Sequence, residues 1–145
     1  MSSILTLSTG SSINLGILLL RLFIGVCFVI HGLGKLGLVG PGNMAGFAGW
    51  LRSMGLPFPE FQARLAMVAE LIGGILITIC LCTRIGALLC CFTMLVAALI
   101  GHKGGGYLIT NTPPGNEYAL NLSAICLVII LLGPGAYSLD SLLFS

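Results

Sequence analysis

Four apolar runs, each near the length of a bilayer-spanning helix, leave this chain few folds to choose from. They cover roughly residues 15 to 34, 65 to 82, 85 to 101 and 117 to 133 of a 145-residue sequence. A hydrocarbon core about 30 Å thick takes about 20 helical residues, so each run can cross it once. Water is excluded as the main solvent, because 57% of the residues are hydrophobic and 7% charged, against about 25% charged in a soluble domain. The last two runs are short, roughly 17 residues each. Such spans imply a locally thin bilayer, little tilt, or flanking polar residues that reach the interface. The expectation is a single all-α domain over 1–145, an integral membrane four-helix bundle, with no room for a soluble catalytic domain.

The opening segment MSSILTLSTGSSIN carries no Lys or Arg, Arg21 interrupts the first run, and no A-x-A site follows. The first span is therefore read as retained and not as a cleaved signal peptide. A net charge of +2 without a basic block gives no electrostatic footprint for nucleic acid.

The one long connection lies between spans one and two. Within it NMAGFAGWLRSMGLPFP has a helical period, with Met44, Phe47, Leu51 and Met54 on one stripe. Asn43 reads as its N-cap, and Gly55 before Pro57 and Pro59 as its stop. Trp50 and Arg52 suit headgroup depth, so this is a short amphipathic interfacial helix, either a plain cap or a lid over a site. Spans two and three, joined by little more than Thr83 and Arg84, form a hairpin. The Gly- and Pro-rich HKGGGYLITNTPPGN leads to span four with Asn116 as a candidate cap. GPG closes that span, and AYSLDSLLFS is a surface tail.

Glu70 is the misplaced letter of span two. A charge at the bilayer centre costs roughly 2.5 to 3.5 kcal/mol on insertion scales, so it calls for a partner, a wet cavity or a task. Counting spans puts His31, Lys35, Glu70, His102 and Glu117 at one membrane face, and the amino terminus, Arg84 and Asp140 at the other. Gly73 and Gly74 give Glu70 a small-residue face that a neighbouring helix can approach closely. Glu117, Asn121 and Ala124 make a similar face on span four. A polar pocket of His31, Glu70 and Glu117 is expected, with Lys35, Asn121 and His102 near it and the Trp50 helix as its roof. Taken singly, His31 and His102 read as packing residues; their convergence with two carboxylates raises a functional reading. Such a pocket could hold and release protons for a quinone, whose reduction consumes them, or for a proton path. His31-Lys35…Glu70 is weakly echoed by His102-Lys103…Glu117, too short a repeat to fix a fold.

Neither H-E-x-x-H nor an i, i+4 His pair occurs, so no metal is expected. The six cysteines, Cys27, Cys80, Cys82, Cys90, Cys91 and Cys126, all fall in the spans without C-x-x-C. They read as small polarizable packing residues. On the opposite side Arg21 sits about two turns inside span one, and Asp140 is the only acid there. A structural Arg21–Asp140 contact, with Arg84 competing, is expected.

The blocks LLLRLFIGVCFVIHGLGKL, GLPFPEFQARLAMVAELIGGILITICLCTRIGALL, NEYALNL and GPGAYSLD, in that order and spacing, resemble the DoxX family of small four-helix bacterial membrane proteins. Its polar positions fall on Arg21, His31, Lys35, Glu70, Arg84, Glu117 and Asp140. The resemblance implies a multi-pass protein of the bacterial inner membrane and a small subunit of a redox system, linked to quinone, thiol or sulfur compounds. It also implies other membrane or redox subunits as partners beside the lipid bilayer, and admits a homo-oligomer. The alternative is a non-catalytic assembly, scaffolding or chaperone-like protein; a transporter ranks last, since four spans need an oligomer to enclose a path. Counting Lys35, Arg52, Arg64 and Lys103 against Arg21 and Arg84 favours a cytoplasmic long loop by a small margin and leaves orientation open.

Overall fold

The computed structural model of the protein describes residues 10–144; residues 1–9 of the leader and Ser145 lie outside them. Helix α1 runs Gly10–Leu36, α2 Met44–Ser53, α3 Pro59–Ile79, α4 Thr83–Val96, α5 Glu117–Leu132 and α6 Leu139–Phe144. One π turn, Ala97–Gly101, prolongs α4. No strand occurs among the described residues. The four apolar runs become α1, α3, α4 and α5. Three helices, counting α4 with its π turn, are long and apolar enough to cross a bilayer, and α5 is a shorter apolar helix. At 1.5 Å per residue α1 is about 40 Å long and α5 about 24 Å.

Local chemistry sets most of the boundaries. The chain leaves α1 through Gly37 at φ 80°, a conformation that glycine adopts at little cost. Asn43 caps α2, its Oδ1 accepting the Gly46 N–H at 2.7 Å. Pro59 opens α3, where its missing N–H is not needed. Gly133 at φ 75° closes α5, as the GPG signal implies. Two boundaries differ from the sequence reading. The α3–α4 turn is Cys80–Cys82, with Cys80 and Cys82 both left-handed, while Thr83 and Arg84 already belong to α4. Asn116 precedes α5 but makes no side-chain cap.

The helices pack in the order α1 on α3, α3 on α4 and α4 on α5, whereas α1 and α5 barely meet. Glycines draw α3 between its neighbours. A Cβ on Gly74 would stand 2.7 Å from the Gly25 oxygen of α1, and one on Gly73 would stand 2.8 Å from the Gly86 oxygen of α4. Backbones can approach this closely only where side chains are absent, a packing mode that substitutes for hydrophobic drive inside a bilayer. Phe28, Ile77, Cys90, Met94, Cys126 and Ile129 fill the centre. The outer surface is apolar too: Phe23 is 75% exposed and Leu131 70%, the arrangement expected when lipid and not water surrounds the bundle.

Helix α2 lies on α3 through the expected stripe. Ala48, Leu51 and Ala63 form a small core with Met44, Phe47 and Met54 packed on it. An exposed Arg52–Glu60 ion pair ties α2 to the first turn of α3.

Candidate functional site

Glu70 lies one turn before Gly73 and Gly74, so the glycine contacts that seat α3 also hold its carboxylate inside the bundle, 1% exposed. Lys35, in the last turn of α1, donates from Nζ to Glu70 Oε2. The ammonium also sits 5.1 Å from the centre of the Phe47 ring of α2, a cation–π contact. Phe47 in turn stacks on Trp50 at 5.9 Å between centroids. Trp50 covers Gly101, where a Cβ would come within 2.8 Å of its ring. The amphipathic helix thus touches the site through Phe47, with Trp50 wedged between it and the end of α4.

A second pair adjoins the first. His31, one turn before Lys35 on α1, hydrogen-bonds through Nε2 to the Tyr118 hydroxyl of α5, their rings tilted with centroids 5.4 Å apart. The same hydroxyl lies 3.3 Å from Cys27 Sγ. Having one proton, it donates to one neighbour and accepts from the other, which makes Cys27, Tyr118 and His31 a hydrogen-bonded chain. The charge of Lys35 acts on His31 and that of Glu70 on Tyr118, so the two pairs form a single electrostatic cluster. The His31–Tyr118 pair crosses the loosely packed α1–α5 seam, and Tyr118 is 41% exposed along it.

The sequence-derived pocket is therefore redrawn. His31, Lys35 and Glu70 do come together, with Phe47 and Trp50 above them. Glu117 turns to the loop, where its Oε2 accepts the Ile109 N–H at 3.2 Å. His102 donates from Nδ1 to the Pro114 oxygen at 3.1 Å, and Asn121 faces outward. The second half of the weak repeat thus anchors the loop before α5 and does not build a second site. Tyr118 was missed. Its signal was its place one residue inside span four, where a rotation of about 100° from Glu117 turns it toward α1.

At the opposite end the charged groups have backbone partners. Arg21 is fully buried; Nη2 donates to the Tyr137 oxygen at 2.7 Å and Nε to the Ile17 oxygen at 3.3 Å. Asp140 accepts the Cys82 N–H at 2.6 Å on Oδ1 and the Thr83 N–H at 2.9 Å on Oδ2. It caps the start of α4, where free amides and the helix dipole favour an anion. The expected direct Arg21–Asp140 pair is not formed: among the described residues, the ion pairs are Lys35–Glu70 and Arg52–Glu60. The reason is that main-chain groups of the C-terminal tail and the α3–α4 turn reach both side chains first. Burial pushes the Asp140 carboxyl up, but the Thr83 and Cys82 hydrogen bonds and the Arg21 charge outweigh it and hold the carboxyl below its ordinary range. Arg84 lies exposed beside Gly133, where a Cβ would be 3.1 Å from its guanidinium.

Among the described residues no group of three or more His, Cys, Asp or Glu side chains is placed to hold a metal ion. All six cysteines are free thiols.

The family model for DoxX matches residues 16–103. Three curated relatives align along most of their length. "Putative oxidoreductase CatD" of Bacillus subtilis is 35% identical over 93% of this chain and 92% of its own. "Inner membrane protein YphA" of Escherichia coli is 31% identical over 86% and 87%. "Inner membrane protein YqjF" of the same organism is 29% identical over 90% and 93%. No solved structure matches significantly.

Proposed function

The chain belongs to the DoxX family, and from that premise we propose that it is a small membrane subunit of a quinone-linked oxidoreductase, binding the quinone head at the Lys35–Glu70 and His31–Tyr118 pairs. It is a multi-pass inner membrane protein, with inner-membrane relatives and long apolar helices. The observation that carries the functional reading is the cluster itself: an ion pair of a buried carboxylate beside an imidazole–phenol hydrogen bond. All four groups can carry an exchangeable proton. A relative named as an oxidoreductase points the same way.

The residues fit such a head group. A quinone, when bound, supplies a two-electron redox couple whose reduction takes up two protons. Tyr118 and His31 can present donors to a carbonyl oxygen from the lipid side of the α1–α5 seam. Lys35 can hold a developing negative charge, which a low-dielectric site stabilises more strongly than water does. Glu70 can accept and return a proton through Lys35. Phe47 and Trp50 cover the Lys35 end of that pair from α2.

The test is the quinone content of the protein isolated in native lipid, read by mass spectrometry beside quinone-dependent turnover in membranes. Wild type should retain quinone, while Tyr118→Phe and His31→Ala should each lower its affinity about tenfold, the worth of one hydrogen bond. Glu70→Gln should fold and bind yet lose turnover. A quinone-free wild type that isolates with another membrane protein, and whose Glu70→Gln variant still binds that protein, would replace this reading with the assembly role.

A further inference from the structure

The turn between α3 and α4 opens onto a cavity of about 320 Å³ walled by residues 82–85, Pro134, Asp140 and Ser141, within the size range of small-molecule sites. It lies at the end of the bundle away from the Lys35–Glu70 cluster. Two opposite charges share it without pairing. Arg84 is exposed, and neither an ion pair nor a hydrogen bond engages its guanidinium among the described residues. Asp140 accepts one amide N–H on each oxygen, and each carboxylate oxygen has a second acceptor position.

The wall behind Asp140 is incomplete as well. Arg21 Nη1 and Thr83 Oγ1 are the buried side-chain atoms without a hydrogen-bond partner among the described residues, and both side chains lie close enough to act on the Asp140 charge. Buried polar atoms of a native chain are as a rule satisfied, so two orphans around one carboxylate mark a place where the chain alone does not supply every polar group. Depth is set by the fold. Arg84 is the second residue of a helix long and apolar enough to cross a bilayer, which puts the cavity at the headgroup layer. From there the surface turns apolar: Ile85 in the cavity wall, then Leu88 and Phe92 one and two turns on, lie along one face of α4 and are 57%, 55% and 69% exposed.

From this arrangement we propose that the cavity binds a membrane phospholipid with an ethanolamine head group, its phosphate on Arg84, its ammonium on Asp140 and an acyl chain along Ile85, Leu88 and Phe92. The charge pattern selects the occupant. A guanidinium matches a phosphate in shape and charge, and an ammonium supplies N–H donors to the open positions of the carboxylate. An anionic glycerol lipid would satisfy Arg84 and bring no cation to Asp140. A choline lipid carries the same charges, but its quaternary nitrogen has no N–H to donate. The inference stands apart from the quinone reading, since none of these residues belongs to the Lys35–Glu70 cluster.

Native mass spectrometry of the full chain, titrated with synthetic ethanolamine, choline and glycerol phospholipids of identical acyl chains, tests the proposal. Wild type should bind the ethanolamine lipid about tenfold more tightly than the choline lipid, the worth of a hydrogen bond between charged groups. Arg84→Gln should weaken binding of both about tenfold and leave the preference intact. Asp140→Asn should remove the preference and leave the choline lipid bound as before. Arg64→Gln, which removes an exposed arginine near the other end of the bundle, should change nothing; circular dichroism checks that each variant remains helical. Equal binding of the ethanolamine and choline lipids by wild type overturns the proposal, as does tighter binding of the glycerol lipid or binding indifferent to Arg84→Gln.

Discussion

The two ends of the bundle answer the same problem, a charge in an apolar molecule, in opposite ways. At one end Arg21 and Asp140 take main-chain carbonyls and amides of the tail and the α3–α4 turn as partners, with the buried Arg21 Nη1 left without one among the described residues. At the other, Lys35, Glu70, His31 and Tyr118 satisfy one another through side chains. Backbone groups do not titrate at working pH, so the first arrangement serves the fold. Side-chain pairs can redistribute protons and re-pair around a ligand, so the second can do chemistry. Charge count alone does not separate the ends; the identity of the partner does.

The comparison breaks most visibly at Glu70. Glu70→Leu leaves Lys35 without its counter-charge, and breaking a buried pair from one side costs roughly 3 to 5 kcal/mol. Thermal unfolding in detergent should show that loss, and Lys35→Met added to Glu70→Leu should recover most of it. Failure of the second substitution to rescue the first would mean that the pair is not an energetic unit.

Arg21 and Asp140 should behave differently, because each holds its own backbone groups. Arg21→Gln should cost roughly 1.5 to 3 kcal/mol, the range for a charge-assisted hydrogen bond. Asp140→Ala should cost roughly 0.5 to 2 kcal/mol as a lost cap. The double variant should lose nearly the sum in a double-mutant cycle, whereas a coupling above about 1 kcal/mol would restore the direct pair expected from sequence. Asp140 also has a pH signature. Its folded-state carboxyl is held below the ordinary value, so its contribution is complete above the unfolded pKa near 4 and fades as pH falls through the folded one. Melting temperatures of wild type and Asp140→Ala should therefore converge in that acid range.

Much of the fold was legible because span length and end signals are local properties. Asn43, Gly55 and the Gly133–Gly135 segment sit at the ends that they signalled. Gly73 and Gly74 announced the close packing of α3. The site was legible only in part, since membrane side can be counted along the chain but helix rotation cannot. Glu117 and Asn121 are on the expected side and point elsewhere, while Tyr118, adjacent to one of them, enters the cluster. Arg21 and Asp140 share an end as expected, yet their partners are carbonyls and amides that no sequence letter displays.

The smallest expected effect concerns the thiols. Cys90 and Cys126 are fully buried packing residues, and conservative replacement of such groups costs under about 1.5 kcal/mol. Cys27 is distinct through its contact with Tyr118. Cys27→Ser should preserve that hydrogen bond and quinone affinity, whereas Cys27→Ala should shift affinity slightly if the chain of hydrogen bonds extends that far. Equal affinity for Ser, Ala and wild type would end the chain at Tyr118.

The unequal helices bear on water supply. A bilayer that matches α5, about 24 Å long, must be roughly 6 Å thinner there than its usual core. In such a bilayer the dimple would lie beside the α1–α5 seam and would lower the headgroup layer toward Tyr118, in the first turn of α5, and toward His31 across from it. Water would then come to the cluster without a channel being cut through the protein. Placed in thicker membranes, the same chain would have to pull water further down to reach these groups, so under the proposed function bilayer thickness would control how fast they exchange protons.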